Sequence, residues 1–153
     1  MKNQKERTQY LQKLSSTGRE KSLLGEQAEA AEYFIKAIEW AETSEHFLCI
    51  TKEIYLSDMQ GNKVFAYTTF LRSIETAASP FAYFRKLTFR HDLAAMVSEF
   101  MLKLPDDLFH FILIHTKSAE EQIALAGIFE PLNIYISDPD PSFFLSKALK
   151  KAS

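Results

Sequence analysis

Residues 25–41 read GEQAEAAEYFIKAIEWA, and residues 61–77, which lie 36 positions later, read GNKVFAYTTFLRSIETA. The two segments carry the same residue at six equivalent positions. These pairs are Gly25 and Gly61, Ala30 and Ala66, Phe34 and Phe70, Ile38 and Ile74, Glu39 and Glu75, and Ala41 and Ala77. A repeat of this length is typical of stacked helix pairs, so the pattern indicates an α-helical repeat protein that acts as an adaptor.

The segments that follow each predicted helix favour a different fold. They read HFLCIT (46–51), FAYFRKLTF (81–89), LFHFILIHT (108–116) and LNIYIS (132–137). Short runs that are rich in Phe, Tyr and Ile and bounded by Ser, Pro or Asp are typical of β-strands. The repeated unit is therefore predicted to be a helix followed by a strand.

Alternating helices and strands with nearly continuous apolar strands predict an α/β fold. We expect a mainly parallel sheet of about four strands with helices on both faces, built from repeated helix–strand units. Ile112 and Ile114 are expected to be buried in the central strand. Residues 1–21 are predicted to form a polar, basic N-terminal tail or helix that folding does not require, and residues 22–153 a single α/β domain.

Charge and composition narrow the classes of partner. The chain has a formal net charge of −2, and residues 1–21 carry six Lys and Arg against two Glu. Because no broad basic surface is indicated, duplex nucleic acid is not an expected partner. The sequence shows no apolar stretch of about 18 residues and no charged-then-apolar leader, so we expect a cytoplasmic protein that does not enter a membrane.

The sequence carries no pattern typical of a cofactor, a metal ion or a disulfide. Cys49 is the single cysteine and lies in an apolar run, where we expect it to pack as a small buried side chain. The four glycines form no phosphate-binding loop, and no pair of histidines has the spacing of metal ligands. We therefore predict no cofactor and no metal site.

A ligand site is expected at one edge of the predicted sheet. In open parallel sheets, ligands bind outside the carboxyl ends of the strands, where loops converge and helix N-termini point their N–H groups. Polar and charged residues follow the predicted strands at this edge and would suit a phosphate or another small anion. They are Lys52, Ser57, Asp58, Asn62, Arg90, His91, His115, Lys117 and Asp138.

One segment, together with a later motif, resembles the phospholipase D-like fold. The segment FLCITKEIYLSDMQGNKVFAYTTFLRSIETAA (47–78) is similar to the strand, polar loop and helix of that family, and His115 and Lys117 form an H-x-K pair. The resemblance implies that His115 attacks a phosphodiester phosphorus and that Lys117 binds the phosphate oxygens. Because the family joins two such motifs in one active site, the resemblance also implies a homodimer.

Three functions follow from these patterns. The first is a non-catalytic α/β regulatory domain that senses a small anionic ligand or binds a protein partner. The second is a phosphodiesterase or nuclease that acts as a dimer through His115, and the third is the α-helical repeat adaptor. Strand content separates the third from the others, because an α-helical repeat has none.

Overall fold

The structure is a computed structural model in which residues 3–132 are described, and these residues form helices and turns with no β-strand. The helices are α1 (Gln4–Leu23), α2 (Gln27–Trp40), α3 (Ser44–Tyr55), α4 (Asn62–Thr76), α5 (Pro80–Leu87), α6 (Ala94–Lys103), α7 (Pro105–Ile114) and α8 (Ala119–Phe129). Short 3-10 turns cover His91–Leu93 and Glu130–Leu132. The predicted α/β fold with a parallel sheet is therefore wrong.

The chain divides into two compact units, which are residues 1–77 (unit 1) and residues 78–153 (unit 2). Unit 1 contains α1 to α4, and the described part of unit 2 contains α5 to α8. The region that was expected to be a single α/β domain thus includes helices of both units.

Unit 1 consists of two helix pairs that follow the 36-residue repeat. The pair α1 and α2 is joined by residues 24–26, and the pair α3 and α4 by residues 56–61. Gly25 and Gly61 hold φ angles of 85° and 74° just before the second helix of each pair. Glycine adopts this left-handed backbone without the steric cost that a Cβ brings, so the same residue recurs at the same step of each hairpin.

The repeat also sets which side chains are buried in unit 1. Ala30 and Ala66 are fully buried, as are Phe34 and Phe70, and each of these pairs lies 36 residues apart. The first helices match in the same way, since Ser15 is fully buried on α1 and Thr51 on α3. Two of the six matching pairs of the opening segments are thus equivalent core positions of the fold.

The N-terminal helix α1 packs in the core of unit 1, whereas the sequence predicted a segment that folding does not require. Leu11 and Leu14 are buried together with the small residues Ser15, Gly18 and Ser22. Small side chains form no apolar stripe in the sequence, yet they let a neighbouring helix approach closely. Packing against α2 and α3 therefore depends on residues that hydropathy does not detect.

The basic residues of α1 pair with carboxylates of unit 1. Side-chain nitrogens of Arg7 and Arg19 each lie 3.2 Å from a carboxylate oxygen, in Glu42 and Glu53 respectively. Lys21 Nζ lies within 3.3 Å of carboxylate oxygens of Glu26 and Glu29, and these two carboxylates raise the pKa of Lys21. Much of the positive charge in the N-terminal segment is thus balanced inside the unit.

Within residues 3–132, most of the residues that were predicted as strands lie in helices. HFLCIT is part of α3, where Phe47, Ile50 and Ile54 are buried at spacings of three and four residues. In α5 the buried residues are Phe81, Phe84 and Leu87, which are spaced by three. Such spacings place the side chains on one face of a helix, and this periodicity outweighs the β-propensity of the individual residues.

The strand predicted to be central is helix α7. Ile112 is fully buried, whereas Ile114 is 75% exposed, so the expectation that both residues are buried is wrong for Ile114. Two residues that are two positions apart point 200° apart around a helix of about 3.6 residues per turn, but to the same face of a strand. The fourth predicted strand, residues 132–137, lies outside the described residues except for Leu132, which is in a 3-10 turn.

Two prolines mark helix starts that the strand interpretation missed. Pro80 and Pro105 are the first residues of α5 and α7. Proline is favoured at this position because its missing N–H would have no partner there and its φ already suits a helix. Asp106 and Asp107 add negative charge to the first turn of α7, which is a further helix-start signal.

Aromatic packing forms the core of the described part of unit 2. The rings of Phe84 and Phe129 stack with centroids 5.9 Å apart, and Phe109 meets Phe129 edge to face at 5.5 Å. These contacts connect α5, α7 and α8. The Glu121 N–H donates to Ser118 Oγ over 3.3 Å, which caps the start of α8.

Truncation of Leu11 tests whether α1 is part of the core. We expect Leu11→Ala to lower the free energy of unfolding by about 2–5 kcal/mol, the usual loss for a buried leucine. Gln12→Ala is the control, because Gln12 is exposed on the same helix. Urea unfolding followed by circular dichroism measures both, and equal stability of the two variants would show that α1 does not dock.

The two helical glycines Gly18 and Gly127 should respond in opposite directions to alanine. A Cβ on Gly18 would lie 2.9 Å from Cε1 of the buried Phe34, whereas nothing lies within 4 Å of a Cβ on Gly127. Overpacking costs about 1–3 kcal/mol, and alanine in an open helical site gains about 0.4–1 kcal/mol. The unfolding temperature of Gly127→Ala should therefore be higher than that of the wild type, and that of Gly18→Ala lower. The reverse order would contradict the close contact between Gly18 and Phe34.

Candidate functional site

The loops of the two helix pairs meet at one end of unit 1. The Asp58 N–H donates to Ser22 Oγ over 2.7 Å, and Ser22 is buried at the end of α1. Gln27 makes two further bonds, because its Nε2 donates to the Asp58 carbonyl over 3.3 Å and its Oε1 accepts from the Gln60 N–H over 3.1 Å. These bonds fix the α3–α4 loop against the first helix pair.

The α3–α4 loop is also held by its own side chains. Asn62 Nδ2 donates to the Ser57 carbonyl over 2.6 Å and to the Tyr55 carbonyl over 3.2 Å. Ser57 Oγ donates to the Ile54 carbonyl over 2.6 Å. Both side chains were predicted to bind an anion, but in the structure they satisfy backbone carbonyls near the end of α3.

Three leucines flank this junction and are largely exposed to solvent. Leu23 is 55% exposed and Leu24 73%, directly after Ser22, while Leu56 is 46% exposed two residues before Asp58. We call Leu23, Leu24 and Leu56 the loop surface. Clustered apolar side chains that remain in water are a common mark of protein–protein contact sites.

The sequence analysis did not single out the loop surface. In the sequence, Leu23 and Leu24 continue the pattern of α1 and Leu56 follows the apolar run of α3, so all three resemble core residues. Only the helix ends at Leu23 and Tyr55 show that these side chains lie beyond the packed faces. A signal was nevertheless present, since each pair of helices needs a hairpin turn at Gly25 or Gly61.

The residues predicted to form an anion site are divided between the two units. Lys52, Ser57, Asp58 and Asn62 belong to unit 1, and Arg90, His91, His115 and Lys117 to unit 2. Asp138 lies outside the described residues. Because there is no sheet in residues 3–132, the sheet edge that was expected to gather these side chains is absent there.

Arg90 and His91 lie between α5 and α6. Arg90 makes two bonds to the Asp92 carboxylate, with Nη2 to Oδ2 at 2.8 Å and Nε to Oδ1 at 3.2 Å. The guanidinium is therefore engaged by a neighbour on the same turn. His91 is exposed, and Lys52 is partly exposed on α3.

His115 and Lys117 line a small cleft in unit 2. His115 is the C-cap of α7, and its ring lies 4.8 Å from the ring of Phe111. The cleft has a volume of about 70 Å³, well below the roughly 300 Å³ at which ordinary ligand pockets begin. It is lined by Ala78, Ser79, Pro80, Phe81, His115, Thr116, Lys117 and Glu121.

The H-x-K pair therefore lies at a helix end with a carboxylate on the wall of its cleft. Glu121 would disfavour an anion there, since like charges repel at short range. The roles of His115 as nucleophile and Lys117 as phosphate ligand stay predictions, as does the resemblance to the phospholipase D-like fold.

Other chemical features are few in the part of the chain that the structure describes. Residues 3–132 contain no group of three or more His, Cys, Asp or Glu side chains placed to hold a metal ion. Cys49 is partly buried, and burial, followed by the nearby Glu53 carboxylate, raises the pKa of its thiol. A raised pKa keeps the group protonated and therefore unreactive.

No helix within residues 3–132 combines the length and the apolar character that crossing a membrane requires. Comparisons of the chain with protein-family models, with curated proteins and with solved structures found no match.

Removal of the Ser22 hydroxyl tests the junction beneath the loop surface. Ser22→Ala should leave the Asp58 N–H without its acceptor, and the net loss for such a bond is about 0.5–1.5 kcal/mol. Thr17→Ala is the control, since Thr17 Oγ1 donates only within α1, to the Lys13 carbonyl. Amide hydrogen exchange should lose protection at Asp58 in Ser22→Ala alone, and unchanged protection there would show that the bond does not hold the loop.

Proposed function

We propose that the protein is an α-helical repeat adaptor that binds a partner polypeptide through the loop surface of unit 1. The observation that carries this proposal is the exposure of Leu23, Leu24 and Leu56 beside a junction that hydrogen bonds hold in place. A fixed apolar surface binds with less loss of conformational freedom than a mobile one. The partner is expected to present apolar side chains.

The repeat architecture supports the same function. Stacked helix pairs leave their outer faces and loops available while the repeated positions form the core, and such arrays commonly serve as binding surfaces. The spacing Ala-x3-Phe at Ala30 and Phe34, and again at Ala66 and Phe70, also occurs in tetratricopeptide repeats. This likeness concerns the fold, and the function rests on the surface.

The corrected fold removes the basis of the regulatory α/β domain. That hypothesis needed a sheet edge to assemble a cationic site, and no sheet exists within the described residues. Ser57, Asn62 and Arg90, which were expected to bind the anion, are engaged by groups of the protein itself. The adaptor hypothesis needs neither feature.

The test is a variant in which Leu23, Leu24 and Leu56 are replaced together by serine. Proximity labelling in cells identifies partners of the wild type, and the affinity of a purified partner is then measured by calorimetry. Each leucine that is buried on binding contributes about 1.5–3 kcal/mol, so the triple variant should bind at least about tenfold more weakly. Its unfolding should be unchanged, because these side chains are exposed.

Val64→Ser is the matched control, because Val64 is 71% exposed on α4 and lies outside the loop surface. Equal affinities of the triple variant and the control would contradict the proposal. Analytical sedimentation of the purified wild type tests whether the loop surface instead binds a second copy of the chain. Self-association that is lost in the triple variant would show this.

A further inference from the structure

His46 is a buried histidine that connects the two helix pairs of unit 1. It occupies the third position of α3 and is 4% exposed. Its Nδ1 lies 3.1 Å from the backbone nitrogen of Glu42 and 3.4 Å from that of Thr43. Its Nε2 lies 3.1 Å from Thr8 Oγ1 on α1.

The partners of the ring allow one assignment of its hydrogen. A backbone N–H can only donate, so Nδ1 must accept and carries no proton. Thr8 Oγ1 donates to the Gln4 carbonyl over 2.8 Å, which leaves its lone pairs to accept from the Nε2–H. The neutral ring with hydrogen on Nε2 therefore satisfies every neighbour.

Protonation of this ring would break the arrangement. An imidazolium has a hydrogen on both nitrogens, so the Nδ1–H would point at the N–H groups of Glu42 and Thr43. Those two groups would then lose their acceptor at the start of α3. The second half of the cap, from the His46 N–H to Thr43 Oγ1 at 3.1 Å, would remain.

The charged groups around the ring are Arg7 on α1 and Glu42 just before α3. Arg7 donates from Nη1 to the Trp40 carbonyl over 2.7 Å, and its Nη2 lies 3.2 Å from Glu42 Oε1. Burial, followed by the field of Arg7, lowers the pKa of His46, while Glu42 opposes this shift. The fold thus favours the neutral ring.

We propose that His46 is a pH-sensitive latch: its neutral ring holds the α2–α3 linker at the start of α3, and protonation of Nδ1 releases the linker while the Nε2–H bond to Thr8 on α1 remains. The latch lies between the first and second helix pairs, so its release changes how one pair is held against the other. The residues of this latch (Thr8, Glu42, Thr43 and His46) are separate from the leucines of the loop surface.

The sign of the effect on stability follows from the lowered pKa. Around the unfolded-state pKa of 6.5, the unfolded chain binds a proton more readily than the folded chain. The stabilisation by His46 is therefore complete above about pH 6.5 and is lost as the pH falls through 6.5 toward the lower folded-state value.

The first measurement is an NMR titration of the histidine rings in the wild-type chain. The His46 signal should titrate below pH 6.5, and its tautomer at neutral pH should carry hydrogen on Nε2. The protection factors of the Glu42 and Thr43 amides should fall as this signal titrates. Titration of His46 at or above 6.5, or unchanged protection through its titration, would overturn the proposal.

His46→Gln separates the latch from a purely structural role. Glutamine at this helix position can accept from the N-cap backbone but does not titrate. The unfolding constant of the wild type should rise more than that of His46→Gln between pH 7.5 and pH 5, by about tenfold for each unit of the pKa shift that NMR measures. An equal rise in both proteins would overturn the latch.

His91→Gln is the matched control. His91 is exposed, so this substitution should leave the difference between the wild type and His46→Gln unchanged. Thr8→Val removes the Nε2 partner while leaving the cap of α3 untouched. It should destabilise the chain at pH 7.5 and at pH 5 alike, because Nε2 carries its hydrogen in both forms of the ring. Loss of the Thr8→Val effect at pH 5 would show that protonation frees the Nε2 side of the ring and would contradict the proposal, and this measurement holds if His46→Gln does not fold.

Discussion

Unit 1 depends on the close approach of α1 and α2 at Gly18. The ring of Phe34 occupies the space that a side chain on Gly18 would take, and Phe34 is itself fully buried. This contact determines the distance between the two helices. The hairpin turn at Gly25 and the ion pairs of Arg7 and Lys21 are compatible with that distance, but none of them would create it.

The second helix pair is built on the same plan and attached to the first at both ends. At the loop end, Ser22 accepts from the Asp58 N–H, and at the other end His46 meets Thr8. In each bond one partner, Ser22 or His46, is buried, and a buried polar group that loses its partner costs more than an exposed one. The leucines of the loop surface are exposed because Leu23 is the last residue of α1 and Leu24 and Leu56 directly follow helix ends, while the bonds below keep the loops in place.

The repeat could be predicted from the sequence, but the class of fold was predicted wrongly, because the segments that form α3, α5 and α7 were predicted as strands. The 36-residue spacing of Phe34 and Phe70 indicated helix pairs, and the structure confirms the equivalence of these positions. Propensity then favoured strands for residues 108–116, although the proline at 105 and the two aspartates after it marked a helix start. The loop surface could not be predicted, because exposure of Leu23, Leu24 and Leu56 depends on where helices end and on contacts between residues 36 positions apart.

The two helix pairs differ in size at one equivalent core position, Gly18 and Ile54, and this difference affects which helices pair during folding. Ile54 stands 36 residues after Gly18 and is fully buried, so the first helices of the two pairs have different surfaces at the same level. Near-identical hairpins can exchange halves as they assemble. If α2 packed on α3 in the way that it packs on α1, Phe34 would meet the branched side chain of Ile54 instead of a glycine, so the shapes of the side chains disfavour the exchanged pairing.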